Sequence, residues 1–336
     1  MSAFSLTTRT GGTTTLDGAS AYRLAARLRG ELLLPGDEGY DRTRKVWNGM
    51  VDHRPGLIAC CATPADIVQA VRFAREHDLL VSVRGGGHNI AGKAVCDGGV
   101  MIDQSKRRNV EVDVDNGTAR VEAGATLGEL DAATQAAGLA TTAGVVTHTG
   151  VAGLTLGGGV GRLARKHGLA CDNLISVDLV TADGRTLTAS GAENAELFWG
   201  MRGAGANFGL ATAFTFRLHP VGPVVLAGAV IHALDDAAAV MRFYSEFSRS
   251  APDELSADAF FVTSPDGHPV FAISVCYIGP IEQGERVIEP LRRFGPPLVD
   301  GIAPVAYTEI QAAGDAFFPV GLNYYWKSHF LEEICD

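Results

Sequence analysis

Three clusters of glycine constrain this chain more than any other feature in its sequence. Arg84-Gly85-Gly86-Gly87-His88-Asn89-Ile90-Ala91-Gly92 is the first, residues 144–161 hold seven glycines in eighteen positions, and Gly203, Gly205 and Gly209 form the third. Glycine is 41 of 336 residues, about 12%, and follows no collagen period; the average is near ~7%. The excess therefore belongs to turns, or to places where backbone approaches a ligand closely. Consecutive glycines expose backbone N–H groups with no Cβ in the way, a nest suited to a pyrophosphate. Two standard nucleotide motifs nearly fit and both fail. Gly87-x4-Gly92-Lys93 mimics a phosphate loop, but Ala94 stands where a Ser or Thr must reach magnesium. Gly157-Gly158-Gly159-Val160-Gly161 lacks the GxGxxG spacing and opens no clean βαβ unit. Tight turns alone are the plain alternative; three clusters, with a histidine inside the first, favour a binding surface.

The remaining composition narrows the field. Lys plus Arg is 28 against 38 for Asp plus Glu, a formal charge of −10. Nucleic acid is disfavoured as the main partner, because phosphate backbones recruit Lys and Arg. A hydrophobic fraction of 46% with 20% charge is ordinary for a globular chain, and the length fits two domains. The six cysteines include the adjacent Cys60 and Cys61 and form no CxxC. That spacing suits neither a disulfide framework nor a zinc site, so no metal is expected. With no apolar signal core and no run of ~18 apolar residues, the expectation is a cytoplasmic protein with reduced thiols.

Hydrophobic period and turn signals give the elements. Residues 1–30 are an N-terminal extension, with a short helix over 20–29 whose anchor is not visible. Thr63, Pro64 and Asp66 read as N-cap, N1 and N3 of a helix reaching about His77. Strands follow at 79–84 and 100–103. Val110, Val112 and Val114 alternate, and the two-residue turn Asn116-Gly117 predicts a hairpin returning over 119–122. Helices are expected over 126–137 and 193–202, a hairpin over 177–188 and a strand over 210–218. Beyond His219-Pro220 glycine thins and the order becomes β-α-β-β-α, a second α+β layer.

The three glycine motifs, in this order and at these separations, resemble the FAD-linked oxidases of the vanillyl-alcohol oxidase superfamily. The nearest branch is the berberine-bridge-enzyme-like group that includes 6-hydroxy-D-nicotine oxidase. The resemblance runs from about Val46 to Pro220 and more weakly beyond. It implies an α+β chain: a two-lobed PCMH-type FAD-binding domain over residues 31–220, and an antiparallel-sheet substrate domain over 221–336. By matched position, Val83, Arg84, Gly85, Gly86, Gly87, His88 and Asn89 wrap the pyrophosphate. Gly150, Val151, Ala152, Gly153, Leu154 and Val160 line the flavin and ribityl region. Ala206, Gly209 and Leu210 meet the adenine end. The histidine at position 88 is the family's covalent attachment point to the flavin 8α carbon, and neutral imidazole is plentiful near pH 7. The plain alternative is a turn histidine that caps backbone groups. Bicovalent members carry a cysteine where Val146 stands, so a single link through His88 is expected.

Other candidates are open to two readings. His148 faces either the flavin region or solvent. Tyr324, Tyr325 and Lys327 resemble a strand on the substrate side, where a tyrosine or lysine serves as base or as hydrogen-bond partner of the flavin; strand packing with a snorkelling lysine is the alternative. Asp172-Asn173 reads as a turn. Family members continue well beyond the position of Asp336, so an incomplete substrate sheet, exposed Phe318, Trp326 and Phe330, fast hydrogen exchange over 223–336 and weak turnover are expected. The implied activity is hydride transfer from a small alcohol, amine or sugar to FAD, with dioxygen as acceptor. A dehydrogenase using another acceptor and a non-catalytic flavin-binding protein are the alternatives. No nucleic-acid or membrane partner is implied, and oligomeric state is not legible.

Overall fold

The computed structural model describes residues 3–264 and 266–332, so Cys335 lies outside it. Its first lobe is built on four strands in the order Glu31–Leu33, Leu57–Cys60, Val100–Asp103, Val81–Arg84. The last three are mutually parallel and Glu31–Leu33 is antiparallel to its neighbour. Leu57–Cys60 and Val100–Asp103 are buried at every position, the continuous apolar pattern of strands covered on both faces. Helix Pro64–Glu76 provides one cover and starts where the sequence signals place it. Thr63 and Asp66 close a capping box, and the Asp66 carboxylate also accepts from the backbone N–H of Arg29 and Gly30 at 2.9 and 3.1 Å. Ile67, Ala70, Val71 and Ala74 enter the core.

Residues 1–30 behave differently from an appended extension. Hairpin Phe4–Thr7/Thr13–Leu16 and helix Gly18–Ala25 place Leu6, Leu16 and Leu24 in the first lobe's core. Thr7 bonds Gly98 and Leu80 through its backbone, both at 2.9 Å. The anchor is thus a contact with residues some seventy to ninety positions downstream, which no local pattern signals.

The second lobe is a five-stranded antiparallel sheet ordered Thr186–Ser190, Leu174–Val180, Leu210–Arg217, Thr118–Glu122, Val110–Asp113. Helices Leu127–Gln135 and Ala195–Ala204 pack on it, with Leu130, Phe198 and Met201 in the core. The first hairpin differs from the two-residue turn expected at Asn116-Gly117. Asp113 pairs with Thr118, so the turn is residues 114–117. The Asp113 carboxylate holds it by accepting from Asn116 N and Nδ2 at 3.0 and 2.7 Å.

Beyond residue 220 the β-α-β-β-α order is observed. Strands Leu255–Thr263, Pro269–Tyr277 and Val224–Ala233 form an antiparallel sheet, and Val299–Asp300 and Ala303–Ala306 both pair with Val224–Ala233. One face carries helices Ala237–Ser250 and Ile281–Arg293, over a core of Leu226, Val230, Phe271, Ile273 and Ile288. Val225, Ala227 and Cys276 of the other face meet Leu163, Val221 and Tyr307, which seats the sheet on the second lobe.

The chain then turns back. Helix Tyr307–Ala312 docks on Leu127–Gln135, with Gln311 Nε2 donating to Asp131 Oδ2 at 3.2 Å and to Gly144 O at 3.0 Å. Residues 315–324 form a strap along the first lobe. Trp47 Nε1 donates to Phe318 O at 2.9 Å, Gly321 N to Trp47 O at 2.9 Å and Gly49 N to Leu322 O at 2.7 Å. Asn48 and Tyr324 exchange bonds of 3.0 and 3.1 Å. Among the described residues, Leu255–Thr263 has a strand neighbour on one side only. Trp326 and Phe330 are exposed and Phe318 is half-buried. Among the described residues no helix is long and apolar enough to cross a membrane, and Cys60, Cys61, Cys96, Cys171 and Cys276 are free and buried.

Candidate functional site

The first and second glycine loops meet and together line a cavity of about 870 Å³ between the lobes, within the ~300–1,000 Å³ range of small-molecule and cofactor sites. One wall is the end of strand Val81–Arg84 and the loop after it. The opposite wall is Thr149, Gly150 and helix Val151–Leu156, and the far end is residues 203–211. Among the described residues, none of the backbone N–H groups of residues 85–90 donates a hydrogen bond within the protein. Buried or half-buried donors are ordinarily paired, so a run of free ones lining a cavity is a ready cradle for an anion. Lys93 is the one charged side chain among the described residues lining the cavity, and no carboxylate faces it.

The glycines divide by what they make room for. A Cβ on Gly86 would lie 2.3 Å from Gly150 N, and one on Gly150 would lie 2.4 Å from Gly86 N. These two glycines let the loops touch backbone to backbone, and Gly86 has no positive φ. Glycine at 86 is therefore required by the loop-to-loop contact, with no left-handed φ behind it. Gly87 does have φ +74°. Gly153 differs again: a Cβ there meets no protein atom within 4 Å, although the residue lines the cavity. Neither packing nor backbone strain accounts for glycine at 153, which faces open space in the cavity.

His88 stands at the cavity wall. Its Nε2 is 2.8 Å from His148 Nδ1 and its Nδ1 is 3.3 Å from Thr149 Oγ1. Its ring stacks on Trp47 at 4.8 Å, and Trp47 stacks on Tyr324 at 3.8 Å. Burial, and then the charge on His148, push the His88 imidazole down to about 4, so it is neutral at pH 7 and available as a nucleophile. Thr147 is fixed by Asp315, whose Oδ1 accepts from Thr147 N at 2.7 Å and whose Oδ2 accepts from Thr147 Oγ1 at 2.5 Å.

Of the residues singled out from sequence, Val83, Gly85, Gly86, Gly87, His88, Asn89, Gly150, Ala152, Gly153, Leu154, Ala206, Gly209 and Leu210 line this one cavity. Arg84 does not. It forms a two-point pair with Asp103 at 2.8 and 3.0 Å and donates to Lys45 O at 3.1 Å, which anchors the loop rather than a ligand. Val146 and Val151 are buried in protein, and Val160 is exposed outside the lining. Tyr324, Tyr325 and Lys327 also lie outside it. Tyr324 is consumed by its stack on Trp47 and by donation to Pro319 O at 2.6 Å, while Tyr325 is 75% exposed, with Lys327 5.8 Å over its ring. Trp326, between them, does reach the cavity. Asp172 accepts from Leu169 N at 2.9 Å, and buried Asn173 donates to Leu169 O at 2.8 Å, both turn-holding roles. Sequence reasoning missed Trp47, Thr149, Gln104, Asp315 and Trp326. None carries a local motif; each joins the site through long-range contacts.

The cavity's chemistry fits FAD: unpaired donors and a lysine that suit a diphosphate, apolar walls at Val83, Ala152, Leu154 and Leu156, and a neutral histidine at the edge. The FAD binding domain family matches residues 55–190. An FAD-linked oxidoreductase of Dictyostelium discoideum is 40% identical over 311 residues, covering 92% of this chain and 67% of that protein. The chain belongs to the FAD-linked oxidoreductases. A second member, (R)-6-hydroxynicotine oxidase of Paenarthrobacter nicotinovorans, is 34% identical across 89% of this chain and 66% of its own length. The crystal structure of 6-hydroxy-D-nicotine oxidase from Arthrobacter nicotinovorans superposes with TM-score 0.82 at 34% identity, over 88% of this chain and 66% of that one. The BBE-like 1 enzyme of Physcomitrella patens gives TM-score 0.80 at 26% identity, over 89% of this chain and 65% of its own. The α+β, two-lobed PCMH-type fold is thereby shared, and the chain spans about two thirds of these relatives' length.

Proposed function

We propose that this oxidoreductase takes a hydride from a small organic substrate, an alcohol, amine or sugar, and uses dioxygen as final acceptor, with its FAD joined through a single bond to His88. Bound FAD supplies the two-electron chemistry; the chain supplies binding and orientation. The free N–H groups of residues 85–90 and Lys93 hold the diphosphate. Ala206, Gly209 and Leu210 meet the adenine end, and Gly153 with Leu154 leaves room along the ribityl chain. His88 fixes the reactive ring at the end where Trp326 closes the cavity. The observation that carries this reading is a neutral histidine set in the wall of a donor-lined cavity. The substrate class draws support from relatives named as (R)-6-hydroxynicotine oxidase, chitooligosaccharide oxidase and carbohydrate oxidase.

Acid precipitation tests the attachment: the pellet stays yellow, and the peptide containing His88 gains the mass of FAD less two hydrogens. Peroxide release across a panel of amines, alcohols and oligosaccharides tests the reaction. A colourless pellet with FAD in the supernatant sinks the covalent link. Flavin reduction by a substrate with no reoxidation in air sinks the dioxygen assignment.

A further inference from the structure

A second cavity, of about 460 Å³, opens where the second lobe meets the last α+β layer, and it shares no lining residue with the cavity between the glycine loops. Its floor is the end of strand Pro269–Tyr277 and the start of helix Ile281–Arg293. Tyr277 is 3% exposed, and its ring lies along the first turn of that helix. A Cβ on Gly284 would come 2.6 Å from the ring, and one on Gly279 would come 2.8 Å from the hydroxyl oxygen. Two glycines therefore make room for one tyrosine and bring its hydroxyl to the cavity lining beside Gly279. Among the described residues that hydroxyl has no hydrogen-bond partner, an uncommon condition for a side chain so buried.

The groups around the hydroxyl favour an anion. Arg286 lines the cavity from the same helix and, among the described residues, forms no ion pair, its neighbour one turn back, Glu282, included. The backbone N–H groups of Gly279, Ile281 and Glu282 likewise donate to no acceptor among the described residues, at the positive end of a thirteen-residue helix. The carboxylate in the lining, Glu254, accepts from Lys166 Nζ at 3.0 Å. Those two charges offset each other, and Arg286 remains uncompensated. Pro252 and Val287 add an apolar flank. We propose that this cavity is a second binding site and that it takes a small organic carboxylate. The carboxylate oxygens meet the Tyr277 hydroxyl, the Arg286 guanidinium and the helix N-terminus, while the body of the molecule lies on Pro252 and Val287. A guanidinium fork matches a planar carboxylate, and one uncompensated cation suits one negative charge. With Lys166 on one side and Arg286 on the other, the occupant touches both the second lobe and the layer above it.

The experiment uses the full chain loaded with FAD and takes benzoate as the probe, a carboxylate on a flat apolar body. Binding is followed by ligand-observed NMR at fixed ionic strength. We expect saturable binding that weakens at least ~tenfold in Arg286→Gln and at least ~threefold in Tyr277→Phe, the scale of lost hydrogen bonds to a charged group. Arg286 is exposed and phenylalanine keeps the ring between the two glycines, so both variants should retain wild-type FAD content and melting temperature. Flavin-free protein should bind benzoate equally well, because the two cavities share no residue. Benzyl alcohol, the same body without the charge, should not displace it. No saturable binding, or wild-type affinity in both folded variants, overturns the proposal, the second outcome placing benzoate elsewhere on the protein. Loss of binding when FAD is absent also overturns it, by placing benzoate at the flavin. Displacement of benzoate by a lower concentration of inorganic phosphate overturns the assignment to a carboxylate.

Discussion

The loop at residues 84–92 and the loop at residues 144–161 are both glycine-rich, yet they use glycine differently. In the first, residues 85–90 line the cavity with backbone N–H groups that donate no hydrogen bond among the described residues. In the second, most glycines serve protein contacts: a Cβ on Gly161 would sit 1.6 Å from Ala143 O, and Gly159 has φ +83°. Only Gly153 looks onto empty space. The two uses meet at the Gly86–Gly150 contact. Glycine density in a sequence is thus a sum of at least two demands, close approach to a ligand and close approach of the chain to itself, and only a structure separates them.

The largest predicted effect breaks the loop-to-loop contact. Gly86→Val places side-chain carbon against the Gly150 backbone, which cannot yield as a flexible side chain would. Overpacking of this kind costs ~1–3 kcal/mol and occasionally more, and here the upper end is expected. Urea unfolding of flavin-free protein is the measurement. A loss seen only with FAD present returns Gly86 to the role of phosphate clearance.

Next comes Gly153→Val. Its flavin-free stability should stay within ~0.5 kcal/mol of wild type, because no protein atom is displaced. Its affinity for FAD should fall at least ~tenfold, about 1.4 kcal/mol. Titration of flavin-free protein reads this directly; unchanged affinity would place the ligand away from helix Val151–Leu156.

A smaller effect is expected from pH. His88 is held at about 4, below its ordinary 6.5, so the unfolded chain binds its proton first. The corresponding stability is intact above pH 6.5 and drains as pH falls through 4. Its partly exposed ring discounts the contribution to ~1 kcal/mol. His219, also pushed down to about 4 by burial and by His167, acts in the same direction. Flavin-free His88→Gln should therefore lose less stability between pH 7 and 4.5 than wild type, and His88→Gln combined with His219→Asn less again. Parallel curves for wild type and both variants would mean that neither ring is neutral when folded.

The smallest effect concerns the residues just beyond the strap. Tyr325→Ala and Lys327→Ala, both outside the cavity, should leave FAD affinity unchanged within about twofold, less than ~0.5 kcal/mol. A tenfold loss in the same titration would bring those side chains to the flavin.

Much of this was legible locally. The capping box at Thr63 and Asp66, the strand from Val110 and the apolar strand at 100–103 are short-range patterns, and they fold as read apart from the wider turn at residues 114–117. The glycine motifs located the cavity because consecutive residues line it. What escaped was whatever depends on distant partners. Arg84 lies inside the motif but is claimed by Asp103. Trp47 gains its place from residues near 318–324, and Asp315 from Thr147. The strand expected around Tyr324 and Lys327 is not formed, and the residue of that stretch lining the cavity is Trp326. The sequence there has no turn or periodic run to tell an extended segment from a strand.

The strap also sets an order of events during synthesis. Its bonds join Trp47, Asn48 and Gly49 to residues 318–324. The first lobe and most of the second can form as they leave the ribosome, because their strands and helices lie within residues 4–217. At ~5–20 residues per second, the peptide that covers Trp47 emerges on the order of tens of seconds later. Throughout that interval the ring stacked on His88 has an open face. Only once residues 318–324 have emerged is Trp47 enclosed between His88 and Tyr324.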